Sequence, residues 1–260
     1  MDSDDLSLPY RFQVQLEVFM QMAKVDVVGG NITEFVGDPE NITGERIVQL
    51  TDSEIKRDMK KRCAMNHVSV MYKKTSVLNA GGYQDWYCNE DYYLWIRMQE
   101  NDYRFANVPY VLVNVRTGED MSSRRGGLKY FRSECGLQTY MLRHRMIGLI
   151  RYLYNVIIRF VGECVIPNVL RQKLFRFFRK EYVPDTESIG MMKPQESADA
   201  YPAFSVAMSV YKNDNPEWFD KAMESIINQT IKPSEIVLVV DGPVPEGIMN
   251  VIHKYEAVCS

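Results

Sequence analysis

The sequence predicts an α/β fold, and three observations carry that expectation. First, the apolar run AFSVAMSVY is followed by helical spacing at Phe219, Met223, Ile226 and Ile227, and then by a second apolar run, EIVLVVDG, ending on Asp241 and Gly242. With PVPEGIMNVIHKYEAV as the next helix, this β-α-β-α order opens a doubly wound sheet, whose ligands sit outside the carboxyl ends of the strands. The apolar continuity predicts strands buried on both faces. Asp214 or Asn215 caps the intervening helix, with Pro216 and Glu217 in its first turn. Second, the opening of the chain interleaves helix and strand signals: RFQVQLEVFMQM reads as a helix, VSVMYKK as a strand, and Ala80 to Tyr83 as a helix end and turn. Glu90 and Asp91 then open a helix bearing Tyr93, Leu94 and Met98. Third, 260 residues at 46% hydrophobic and 25% charged are enough to bury a sizeable core.

Composition divides the chain into residues 1–134, a basic amphipathic stretch over 135–182, a linker over 183–200 rich in Pro, Ser, Gly and acid, and residues 201–260. A net charge of -3 gives no electrostatic case for nucleic acid. The five cysteines are widely spaced, form no CxxC pair and read as reduced thiols. No charged and then apolar leader opens the chain, so the expected compartment is the cytoplasm and the N-x-T tripeptides carry no weight.

Three clusters carry the chemistry. MDSDDLSLPYRF packs Asp2, Asp4 and Asp5 within four residues; such carboxylates repel unless neutralised and suit Mg²⁺ or Mn²⁺ bridging a diphosphate, although they also suit an acidic turn and cap. Glu90 and Asp91 fit either an acid–base site or the dipole of a helix N-terminus. NVRTGEDMSSRRGG ends a strand at Arg116 and carries Arg124 and Arg125 in a Gly- and Ser-bearing loop, suited to closing over an anion or to plain solvation.

Taken together, MDSDDLSLPYR, the MxxKxxxxxAGGY pattern with EDYYLW, the RRGG loop, and SVAMSVYKND with EIVLVVDGP resemble family 2 glycosyltransferases of the bacterial capsular and exopolysaccharide type. The resemblance implies a GT-A fold, a Rossmann-like mixed sheet, with the order reversed: the nucleotide-binding start of the family here follows its acceptor half. It implies a metal held by Asp4 and Asp2, Asp91 as general base with Glu90 beside it, and Tyr211, Asp241 and Asp2 around the nucleotide. His67, Arg116, Arg124 and Arg125 become donor or acceptor contacts, His67 serving equally well as a core histidine. Relative to the family, a strand-helix unit of roughly 30 to 40 residues is missing before MDSDD. The implied reaction is inverting, metal-dependent transfer from a UDP-sugar to a saccharide or lipid-linked acceptor in surface polysaccharide synthesis. A non-catalytic rearranged fragment that binds nucleotide is the alternative. A circular permutation or parts of two genes would account for the order, and an unfinished sheet edge would favour a homodimer.

The stretch LQTYMLRHRMIGLIRYLYNVIIRFVGECVIPNVLRQKLFRFFRK interrupts its apolar runs with charge too often for a spanning helix. It fits the surface of an anionic membrane, on the inner face of the cell membrane, or packing on the preceding domain.

Overall fold

A computed structural model describes residues 1–118, 127–166 and 201–257. The expected linker and the loop with Arg124 and Arg125 lie outside the described residues.

The central strand is β2 (Val27–Phe35), whose nine residues are all buried. It pairs parallel with β5 (Phe105–Arg116) and antiparallel with β3 (Ile42–Arg46) and β4 (Met71–Tyr72), while β1 (Leu6–Ser7) lies antiparallel on the far side of β5. The sheet is therefore mixed. One of its cores lies against α2 (Asp52–Met59), α4 (Glu90–Glu100) and α5 (Gly127–Arg143), centred on the fully buried Trp95, Tyr92 and Phe105. Thr51 and Glu54 form a reciprocal capping box that starts α2. α3 (Lys74–Asn79) ends in a turn where Gly81 and Gly82 take φ of 90° and 62°, a region open to glycine, as the AGGY motif predicts.

The late residues form β6 (Ser205–Tyr211), α7 (Pro216–Ile227), β7 (Glu235–Asp241) and α8 (Glu246–Glu256), with Asn215 capping α7 through its side chain. β6 and β7 are parallel, as expected, but they form a sheet of their own. Residues 1–5 form no strand, with a turn at Ser3 and Asp4, and among the described residues no strand pairs β6 with the larger sheet. Expected burial on both faces is also corrected: β6 alternates exposed and buried, and Val237 and Val239 on β7 are 45% and 54% exposed. Among the described residues no layer covers that face. VSVMYKK likewise yields only the two-residue β4, because His67–Ser69 coils into a 3-10 turn with Ser69 bonded to Asn66 and Gly30. The boundary expected after residue 134 falls inside the single helix α5.

What joins the two sheets is α1 (Arg11–Gln21). Val14 on one side enters the core of β2 and β5, and Phe12 on the other enters the core of Val206, Met208, Val210 and Phe219. Polar contacts fix the joint: Ser7 N donates to Ser225 Oγ (3.0 Å), Thr230 N to Pro9 O (2.8 Å), and the buried Gln229 Nε2 to Leu8 O (2.8 Å). Gln229→Ala removes the donor to Leu8 O and Ser7 O and the acceptor of Phe12 N, and is expected to cost about 1–3 kcal/mol. A urea titration reads it as a lower midpoint, with faster proteolytic release of residues 201–257. An unchanged midpoint would show that the joint does not depend on this amide.

Candidate active site

The antiparallel register of Leu6 with Asn114 brings the acidic turn beside the end of β5. There Asp5, 1% exposed, accepts a hydrogen bond from Arg116 N (3.0 Å). Burial, then Asp2 and Asp4, push the Asp5 carboxyl up to about 8. Asp4 is half-buried and also raised, by burial and then by Asp2, with Arg116 opposing. Asp2 is exposed. The turn thus crowds three carboxyls, and burial together with their mutual repulsion disfavours the charged forms of Asp4 and Asp5.

Arg116 spans the joint. Its guanidinium stacks on Phe35 (4.5 Å to the ring centre) and on Trp218 of α7 (4.3 Å), and Nη1 donates to Gly37 O (2.7 Å). Stacked this way, the planar cation is held in place while still facing Asp4 and Asp5. From the late sheet, Asp214 meets the same turn: its Oδ2 accepts from Ser3 Oγ (2.7 Å) and from Tyr211 N (3.0 Å). Asp241 is level with Tyr211 across β6 and β7 at their carboxyl ends, and both are exposed.

Asp91 and Glu90 stand in the first turn of α4. Glu90 is exposed; Asp91 is half-buried, and its Oδ2 receives the Cys63 thiol (3.7 Å). Burial and then Asp91 raise the Cys63 thiol, so it remains a neutral donor. α5 steadies the approach to this turn, with Asn89 Nδ2 donating to Ser133 Oγ and Trp86 Nε1 to Ser133 O, each at 3.1 Å. His67 lies between the two acidic sites. Burial lowers its imidazole, while Asp91, Asp2 and Glu90 pull the other way, and its ring stacks edge-on to Tyr83 (5.7 Å).

Asp5 Oδ2, His67 Nδ1 and Arg116 Nε are all buried with no hydrogen-bond partner among the described residues. Orphaned polar atoms of this kind cost about 1–3 kcal/mol each, and they are tolerated where a polar ligand completes them.

No family model matches the chain. Among curated proteins, it is 36% identical over 181 residues to an uncharacterized glycosyltransferase of Haemophilus influenzae, a match that covers 70% of this chain and 67% of the relative. The chain belongs to the glycosyltransferases. It is also 32% identical over 180 residues to the amylovoran biosynthesis glycosyltransferase AmsE of Erwinia amylovora (69% of this chain, 66% of the relative). A third relative, from Escherichia coli, is the UDP-Gal:alpha-D-GlcNAc-diphosphoundecaprenol beta-1,3-galactosyltransferase, 32% identical over 158 residues (61% and 57%). Each match therefore spans about two thirds of the relative or less.

In this glycosyltransferase no group of three His, Cys, Asp or Glu converges among the described residues, so the protein alone offers no complete metal cage. The donor set nevertheless fits Mg²⁺ or Mn²⁺, which take one or two carboxylates and complete their shell with water and phosphate oxygens. Asp4 and Asp2 would supply those hard oxygens; burial, then Asp2, raises the Asp4 carboxyl. Four further residues join the site without having been singled out for it. In the sequence Asp5 is one of an acidic run, Asp214 a possible helix cap and Cys63 an ordinary thiol, and Trp218 carries no signal. For Asp214 a signal existed, since it lies just past the carboxyl end of β6, where α/β sheets gather ligands.

Proposed function

We propose that this glycosyltransferase transfers a sugar from a UDP-sugar to a hydroxyl of a saccharide or lipid-linked acceptor, with inversion, on a rearranged GT-A scaffold of the family 2 type. Tyr211 and Asp241 flank the uracil and ribose; Asp241 accepts the uracil N3–H. Asp4, helped by Asp2, would hold Mg²⁺ or Mn²⁺, which when bound neutralises the diphosphate leaving group. Arg116 adds a fixed positive charge on the same side. Asp91 takes the acceptor proton as the acceptor oxygen bonds to the anomeric carbon, and the bond to the UDP oxygen breaks with its electron pair leaving on UDP. Glu90 and His67 orient the acceptor.

One observation supports this reading: Asp214, hydrogen-bonded to Tyr211 beside Asp241, is also bonded to Ser3 within the acidic turn, so the segments from opposite ends of the chain that carry the proposed nucleotide and metal residues meet. The Escherichia coli relative, named for a UDP-Gal donor and a diphosphoundecaprenol acceptor, supports the donor and acceptor classes. The test is UDP release from a panel of UDP-sugars with Mn²⁺. Turnover that rises with acceptor supports an enzyme. UDP binding without turnover of any donor would leave a nucleotide-binding fragment, a reading favoured by the uncovered face of β6 and β7.

A further inference from the structure

We propose that α6 (Leu149–Phe160) lies flat on an anionic lipid surface, with Ile150, Leu153, Tyr154, Ile157, Ile158 and Val161 at the acyl boundary, and that it thereby holds Asp91 beside that surface. These positions recur at intervals of three and four and form one stripe of the helix. In a globular protein such a stripe faces the core. Here it faces out: the six side chains are 87%, 49%, 57%, 60%, 50% and 43% exposed, in that order.

The helix is built inside out, and its polar side fixes it that way. Asn155, 3% exposed, donates to Lys60 O (2.8 Å) and to Gln138 Oε1 (2.7 Å), while Arg159 bonds Lys61 O and pairs with Glu134. Turning the apolar stripe inward would break all four contacts and leave Glu134 unpaired in a buried position.

Charge selects lipid over a second copy of the chain. α6 has no acidic residue, and Arg143, Arg145 and Arg151 are exposed around its start. A shallow apolar hollow there is lined by Gly148, Ile150, Arg151 and Tyr154, combining a cation with apolar walls as a lipid phosphate and its chain require. A symmetric contact between two α6 faces would bury this stripe only by bringing cationic margins together. The sequence continues in the same composition, with Arg171, Lys173, Arg176, Arg179 and Lys180 against Glu181 over residues 167–182. No helix among the described residues is long and apolar enough to cross a membrane, so the contact is interfacial.

The polar side also ties lipid contact to the site. Lys60 and Lys61, which α6 grips, lie two to three residues before Cys63, whose thiol meets Asp91. An acceptor anchored in the bilayer would thus present its saccharide near the base; this consequence rests on the proposed function, whereas lipid binding itself does not.

The experiment is sedimentation of the full chain with phosphatidylcholine vesicles, with and without phosphatidylglycerol. Binding is expected to the anionic vesicles, weakened by added salt, and reduced roughly tenfold or more by Ile150→Glu with Ile157→Glu. Arg151→Glu should weaken only the salt-sensitive part. Both variants alter exposed positions, and circular dichroism with a thermal melt verifies their fold. Equal vesicle binding by the double variant overturns the proposal. So does a lipid-free dimer, seen by analytical ultracentrifugation, that the double variant abolishes while the parent ignores vesicles. Transfer to a water-soluble acceptor separates the two readings. Intact transfer without vesicle binding sinks the membrane face alone, and vesicle binding without UDP release from any donor sinks the enzymatic reading alone.

Discussion

Asp91→Asn is expected to lower sugar transfer by a factor on the order of 10² to 10⁴ while leaving UDP affinity unchanged. The amide keeps the size of the side chain and its first-turn position in α4 but takes up no proton. Asp91 accepts from the Cys63 thiol and lies beside His67, whereas the described contact of the acidic turn with the late sheet runs through Ser3 and Asp214. The loss should therefore fall on turnover. Rates of product formation and calorimetric titration of UDP, measured on one preparation, separate the two effects. Transfer at the parent rate would remove Asp91 from the mechanism.

Asp4→Asn is expected to act on the other half of the reaction. It removes a carboxylate charge from the acidic turn proposed to hold the cation, and so should weaken Mn²⁺-dependent UDP binding by at least ten- to a hundredfold. UDP binding in the absence of metal should change little, or tighten, because repulsion of the diphosphate falls. The comparison is a UDP titration with Mn²⁺ and with a chelator. Equal metal dependence in variant and parent would take the cation away from this turn.

Much of this was legible in the sequence because the relevant signals are local. The AGGY turn, the helix opened by Glu90 and Asp91, the Asn215 cap and the parallel pairing of β6 with β7 depend on residues within a few positions of one another. The overestimates have a shared cause. VSVMYKK has strand composition, yet Ser69 finds Asn66 and Gly30 and the backbone coils instead. The apolar β7 implied cover on both faces, but cover is a property of what packs there and not of the strand. The residues of the site that no local pattern marks act across the longest separations. Trp218 stacks on Arg116 and Asp214 bonds Ser3, contacts that exist only once α1 has joined the two sheets. The outward stripe of α6 had an ambiguous pattern, since the same spacing describes a core-facing helix; the inward grip of Asn155 and Arg159 decides it.

Whether opposite ends of the chain build a single donor site is decided by titrating UDP in the presence of Mn²⁺ into the parent, Asp4→Asn, Asp241→Ala and the double variant. If one nucleotide touches both ends, each single variant weakens binding of the same UDP and the double variant binds more weakly than either, the two losses roughly adding because they fall on separate parts of the ligand. UDP affinity indifferent to Asp241→Ala, or to Asp4→Asn, would contradict the single site.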